Sequence, residues 1–110
     1  MVHGDVLTID VNDSVQDGAG KLKRSDMFLL PVESQGRLVG TLSQGDVDLF
    51  RLRQECNETL AKVKEVMDFE FITCAEESFG LNVATLVART NIQRVIVMNG
   101  QRKAVGFLSL

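Results

Sequence analysis

The chain has no Trp and no Tyr, and only one Pro, one His and two Cys among its 110 residues. With 6 Phe as its only aromatic residues, it has few side chains on which single-stranded bases could stack. A basic excess is missing too. The net charge is -3 and the pI near 5.1, whereas non-specific nucleic-acid binding depends on neutralising phosphates. Cys56 and Cys74 have no Cys or His close by in sequence, so they suggest neither a disulfide framework nor a zinc site, and reduced thiols are expected. His3 is the sole histidine and sits near a terminus, which leaves little basis for histidine catalysis. No apolar run approaches the length of a membrane span, and Met1 to Asp10 lacks the basic flank and apolar core of a signal peptide. A cytoplasmic protein is the expectation.

What is present suits a soluble globular chain. Hydrophobic residues make up 45% and charged residues 25%, enough for one compact domain or two small lobes sharing a core. Charge is uneven along it. Residues 1–55 carry 9 acids and 6 bases, while residues 56–110 carry 6 of each, so an anionic ligand finds its cations more easily in the second half.

The chain reads as one pattern used twice. In the first copy, Asp5-Val6-Leu7-Thr8-Ile9 alternates like a short strand, Asn12-Asp13-Ser14 offers a helix cap, and Val15, Ala19 and Leu22 fall on one helical face. Gly18 and Gly20 are expected to weaken that helix, so it should depend on packing. Met27 to Val32 is an apolar run of strand length, which Pro31 predicts to lie at an edge or a strand start. A turn at Glu33 to Gly36 leads into Leu38 to Ser43. The second copy repeats the order with Phe71 to Cys74, the cap region Glu76-Glu77-Ser78, the stripe Phe79, Val83, Leu86 and Val87, the strand Val95 to Met98, a turn at Asn99-Gly100, and Ala104 to Ser109. Ser14 matches Ser78 at an offset of 64, Met27 matches Ile92 at 65, and Gly40 matches Gly106 at 66. Between the copies, Val47, Phe50, Leu60, Val63 and Met67 predict two helices, broken at Asn57-Glu58-Thr59. Met27, Phe28, Phe79 and Phe107 read as core.

These residues resemble the CBS-domain family, and in particular the tandem pair called a Bateman module. Leu29-Leu30-Pro31-Val32, the run Gly36 to Asp46, Val63 to Met67, Arg94 to Met98 and Ala104 to Ser109 carry the resemblance. The most specific part is Gly36 to Asp46, which looks like the family's closing signature of glycine, apolar positions, a hydroxyl and an acid, with Thr41 departing at an apolar position. The resemblance implies an α+β fold of two β-α-β-β(-α) repeats packed as one pseudo-symmetric module, its small sheets flanked by helices. Residues 1–56 would form the first repeat, and residues 57–110 a linking helix and a second repeat. The second copy runs only to Leu110, one residue past Ser109, so its closing helix would come from further chain or a partner. A homodimer is implied, with helices Val15 to Leu22 and Phe79 to Val87 at its two-fold axis.

The implied function is regulatory and non-catalytic: a module that senses an adenosine-containing ligand such as AMP, ADP or ATP in the cleft between its repeats. The alternative is a ligand-free dimerisation or interaction domain. No cofactor is required, and an effector domain or protein is the expected partner. Ser43 and Asp46 stand where a hydroxyl and a carboxylate can accept ribose hydroxyls at a strand-to-helix junction. They can equally close a turn and cap a helix beginning at Val47, and one carboxylate can serve both roles. Thr8 and Thr73, flanked by Val6 and Phe71, are either ligand contacts at matching strand edges or simple β-formers. By the resemblance, Arg94 occupies a slot where the family often carries a basic residue facing ligand phosphates, and where the first copy has Leu29; its forked donor suits phosphate, and the alternative is a solvated edge-strand arginine. Val6, Phe71, Leu29, Pro31 and Ser109 complete the implied ligand-binding set. The sequence contains no nucleophile-base pair, phosphate-cradling loop or metal-ligand cluster, which makes an enzyme the weaker expectation.

Overall fold

The computed structural model describes residues 2–3, 6–25, 28–53, 60–76, 94–101 and 103–109. In chain order its elements are β1 (Val2–His3), β2 (Ile9–Asp10), α1 (Val15–Ser25), β3 (Leu29–Ser34), β4 (Arg37–Ser43), α2 (Gln44–Arg53), a single 3-10 turn (Val63–Glu65), β5 (Ile72–Ala75), β6 (Arg94–Met98) and β7 (Ala104–Ser109). They form two sheets, ordered β2-β3-β4 and β1-β7-β6-β5. Mixed α+β architecture built from two small sheets with helices is therefore present as expected. Cys56, the break at Asn57 to Thr59, Met27, and the helix expected over Phe79 to Val87 lie outside the described residues.

The two sheets show the repeat residue by residue. Leu29↔Ser43, Leu30↔Leu42, Pro31↔Thr41 and Val32↔Gly40 pair across β3 and β4, with a bulge between Val32 and Glu33. Arg94↔Ser109, Val95↔Leu108, Ile96↔Phe107 and Val97↔Gly106 pair across β6 and β7, with a bulge between Val97 and Met98. The bulge recurs at the matching position, a feature that fixes where a sheet bends. One extra residue in the second hairpin turn accounts for the step in offset from 65 to 66. In the first hairpin Gln35 and Gly36 both have positive φ, 52° and 79°, the backbone of a tight two-residue turn that matches strand twist. In the second, the Asn99 carboxamide accepts from the Gln101 and Lys103 N–H groups at 2.9 and 3.0 Å.

By packing, the chain divides into a unit of residues Leu7–Phe69 and a unit of Met1–Val6 with Glu70–Leu110. This differs from a boundary after residue 56 for a physical reason: each sheet is completed by the segment that leads the other copy. In the second unit β1 adds to the edge of β7 through Val2↔Phe107 and His3↔Gly106. In the first unit, Asp68 bridges the matching edge of β4 at Thr41. Thr41 N–H donates to the Asp68 carbonyl at 2.9 Å and Asp68 N–H to the Thr41 carbonyl at 2.8 Å. Val2 and Asp68 are themselves 66 apart. Among the described residues of this stretch, β1 and the late, short β2 therefore stand where a strand ending at Ile9 is expected, and Val6 to Thr8 lie outside both.

The segment from Leu60 to Met67 corrects a second expectation, since it forms no helix beyond the 3-10 turn. Its backbone is used elsewhere. Ala61 C=O accepts from Val15 N–H at 2.9 Å, Val63 N–H donates to Asp13 C=O at 2.8 Å, and Lys64 N–H donates to Val11 C=O at 3.1 Å. Ala61, Val63 and Met67 are buried while Leu60 is 78% exposed, so the apolar spacing describes a strap laid on the first unit.

Among the described residues, the first unit's core comprises Ile9, Val15, Leu22, Leu29, Leu30, Val32, Leu42, Val47, Ala61, Val63 and Met67. Val95, Ile96, Val97 and Phe107 are the buried apolar residues described in the second. Phe28, expected in the core, is 76% exposed, because it precedes β3 and contributes its carbonyl to the Gln44 N–H at 3.2 Å. Helix α1 starts at the expected cap, with Ser14 Oγ accepting from Asp17 N–H at 3.0 Å.

Its two glycines have opposite meanings. A Cβ on Gly18 would stand 2.5 Å from Leu42 Cδ2 and 3.3 Å from Ile9 Cδ1, whereas one on Gly20 meets nothing within 4 Å. Gly18 lets the helix lie close to the sheet, while Gly20 only weakens the helix. Gly20→Ala should therefore raise stability by about 1 kcal/mol through helix propensity and unfolded-chain entropy. Gly18→Ala should lower it by about 1–2 kcal/mol through overpacking. Paired urea titrations check this, and shifts of the same sign for both would contradict it.

Candidate functional site

Ser43 and Asp46 meet at the junction where β4 runs into α2. The helix begins at Gln44, earlier than the Val47 start expected from sequence, and that change assigns the two residues distinct tasks. Ser43 is the N-cap. Its Oγ accepts from Asp46 N–H at 3.1 Å, and Asp46 Oδ2 accepts from Ser43 N–H at 2.9 Å, the reciprocal arrangement of a capping box. Both side chains are half-buried. The carboxylate is thus fixed by its own helix and set where the helix dipole favours negative charge. Such a group can accept several hydrogen bonds at once, so the bond from Ser43 does not exhaust its chemistry.

Around this pair the register places Leu29 directly across from Ser43 in the β3–β4 ladder, fully buried. Pro31 lies opposite Thr41, and here the edge-strand expectation is overturned, since β3 is the central strand of its sheet. The reason is the direction of its backbone. Thr41 exchanges its backbone bonds with Asp68, so Pro31 does not hydrogen-bond to β4 and its ring nitrogen faces the β2 side. Val11 N–H donates to Glu33 C=O at 3.0 Å, which fixes the same orientation for odd-numbered residues of β3. Along that side β2 pairs only as Ile9↔Val32 and Asp10↔Glu33. The sheet tolerates the missing donor by ending the ladder there.

Thr8 therefore lies just outside β2 and is half-buried. Its carbonyl accepts from Lys21 Nζ at 2.8 Å, a contact between residues 13 apart that leaves no periodic trace in the sequence. In the second unit the matching Thr73 is within β5, paired with Ile96, and exposed. Val6 and Phe71 are half-buried and both belong to this second unit, so Val6 is grouped away from Thr8. Arg94 opens β6, half-buried, opposite Ser109, exactly where Leu29 faces Ser43 in the first copy. Cys74 is a free thiol in β5, and burial pushes its titration up, away from thiolate reactivity at neutral pH.

Among the described residues, no group of three or more His, Cys, Asp or Glu is placed to hold a metal ion. No helix among them is long and apolar enough to cross a membrane.

Comparison with known proteins returns a consistent likeness. The CBS domain family matches residues 1–51. The CBS domain-containing protein YhcV of Bacillus subtilis (strain 168) is 28% identical over 105 residues, spanning 96% of this chain and 74% of that protein. Among solved structures, the CBS domain of a CBS domain containing membrane protein from Sphaerobacter thermophilus superposes with a TM-score of 0.78 at 19% identity, over 96% of this chain and 78% of that one. The CBS domain pair of protein MJ0100, solved in complex with 5'-methylthioadenosine and S-adenosyl-L-methionine, superposes with a TM-score of 0.74 at 25% identity, over 94% of this chain and 84% of that one.

Proposed function

We propose that this chain, similar to the CBS domain family over residues 1–51 and to CBS-domain pairs over nearly its whole length, is a tandem CBS pair and a regulatory module binding an adenosine-containing ligand. The observation that carries the reading is the Ser43–Asp46 box: a half-buried carboxylate held at a helix start, able to accept vicinal ribose hydroxyls while still capping α2. The adenosine-containing ligands of the MJ0100 pair support that ligand class. In this reading Thr8, Leu29 and Pro31 border the ribose site, and Val6, Phe71, Thr73 and Ser109 are further contacts. The ligand acts by stabilising one arrangement of the module over others; the role is regulatory and not enzymatic, in the cytoplasm.

A thermal-shift series with AMP, ADP, ATP, NAD and S-adenosylmethionine tests it. A ligand that binds only the folded state raises the melting temperature with concentration, and at least one of these is expected to do so. No shift from any of them at millimolar concentration would favour the other reading, an interaction domain without ligand. The outward residues of α2 speak for that second reading, since Leu49 and Leu52 are 49% and 79% exposed. In either case the chain is a homodimer, which light scattering at tens of micromolar reads directly.

Arg94 is the proposed phosphate contact. Arg94→Ala should weaken AMP and ADP by about 1–3 kcal/mol, the worth of hydrogen bonds to a charged group, and leave adenosine unchanged. The salt dependence of AMP and ADP binding should fall with it. Calorimetry on the three ligands decides, and equal losses for all three would assign Arg94 a structural role.

A further inference from the structure

We infer that Lys21 is a positioning residue for the first unit's ligand edge, replacing a ladder contact that Pro31 cannot make. The two copies supply the comparison. In the second, β5 and β6 pair at four positions: Ile72↔Val95, Thr73↔Ile96, Cys74↔Val97 and Ala75↔Met98. In the first, only the equivalents of the last two exist, Ile9↔Val32 and Asp10↔Glu33. The absent pairs are Leu7 with Leu30 and Thr8 with Pro31, and in a parallel ladder of this register both depend on an N–H at position 31 donating to the Leu7 carbonyl. Proline has none; Ile96, its counterpart, does. Leu7 and Thr8 thus leave the sheet, and Leu7 is 41% exposed. Their place is held instead from the other side, where the Lys21 ammonium donates to the Thr8 carbonyl at 2.8 Å in a part-buried setting. Helix α1 can offer that ammonium reliably because Gly18 seats it against Leu42 and Ile9 and Ser14 caps its start. A charge-assisted bond of this kind is stronger than a neutral one. The arrangement leaves the edge at Leu7 and Thr8 open to a ligand yet fixed in position, through one proline and one lysine.

That this edge serves a ligand rests on the function proposed above; that Lys21 holds it does not. Amide hydrogen exchange on the full chain without ligand separates the two. In Lys21→Met, which keeps the aliphatic stem, the amides of Leu7 to Asp10 should exchange at least tenfold faster, while those of Leu42 and Val32 stay as in the wild type. Lys21→Arg, which keeps a donor, should retain most of the protection. Pro31→Val in the Lys21→Met background restores the missing N–H and should return the protection lost. Unchanged exchange at residues 7–10 in Lys21→Met would overturn the inference, as would faster exchange throughout Leu7 to Phe69. Should the valine variant not fold, the methionine and arginine pair still decides. Adenosine affinity is then measured on the same proteins. A loss in Lys21→Met that Lys21→Arg recovers ties the edge to the ligand, whereas opening of the edge with no change in affinity removes the ligand role and leaves the positioning intact.

Discussion

Gly40→Ala should cost the first unit about 2–4 kcal/mol, the scale of overpacking compounded by lost backbone hydrogen bonds. A Cβ at Gly40 would lie 2.8 Å from the Asp68 carbonyl oxygen and 3.0 Å from Met67 Sδ. The thioether is flexible and can swing away. The carbonyl cannot, because both backbone groups of Asp68 are bonded to Thr41 at 2.8 and 2.9 Å. Relief demands that β4 leave its ladder with β3 or that the strap lift, and a lifted strap forfeits those two bonds and begins to expose Met67 and Val63, now 8% and 0% exposed. Since a domain of this kind is stable by about 5–15 kcal/mol in all, the loss is a large share. The denaturation midpoint should fall with an unchanged slope, and Met67→Ala in the same chain should not restore it. A midpoint equal to that of the wild type would mean that the strap does not press on β4.

The glycine at 40 was legible in the sequence as a landmark shared with Gly106, but its reason was not. Landmarks survive in order because strand register allows no slippage without turning side chains to the wrong face. The offsets from Pro31 to Ile96 and from Gly40 to Gly106 therefore reappear as aligned ladder positions in the two sheets. What the pattern could not reveal are contacts made far along the chain. Val2 pairs with Phe107 and Asp68 with Thr41, and neither two-residue β1 nor a single bridge leaves a periodic trace. The strap misled for a related reason. Leu60, Val63 and Met67 have helical spacing, yet the backbone donors and acceptors of this segment are drawn to Val11, Asp13 and Val15, and tertiary bonding outweighs local propensity. Pro31 followed the same logic: a proline is excluded from a central strand only where a neighbour needs its donor, and β2 stops short of it.

The candidate site was legible to a greater degree, since Ser43-Gln44-Gly45-Asp46 is both a capping box and the stretch that resembles the family signature. This double use governs the last expected result. Replacing Asp46 by Ala removes the acceptor for the Ser43 N–H, so about 0.5–2 kcal/mol of stability should go with the cap whatever the function. Stability alone therefore says nothing about ligand, and the informative quantity is a coupling between residue and ribose. If the carboxylate accepts the ribose hydroxyls, 2',3'-dideoxyadenosine should bind the wild type about 5–150-fold more weakly than adenosine, as the loss of hydrogen bonds to a charged group worth about 1–3 kcal/mol implies. In Asp46→Ala the same comparison should show nearly equal affinities, because the partner of those hydroxyls is already gone. Asp46→Asn supplies the control, since its amide oxygen can still accept from Ser43 and keep the cap while giving up the charge. It should be more stable than the alanine variant and intermediate in its preference for the ribose. The cycle is measured by calorimetry on folded proteins, with each variant's melting point recorded alongside. A full ribose preference retained in Asp46→Ala would leave the carboxylate as a helix cap and nothing more.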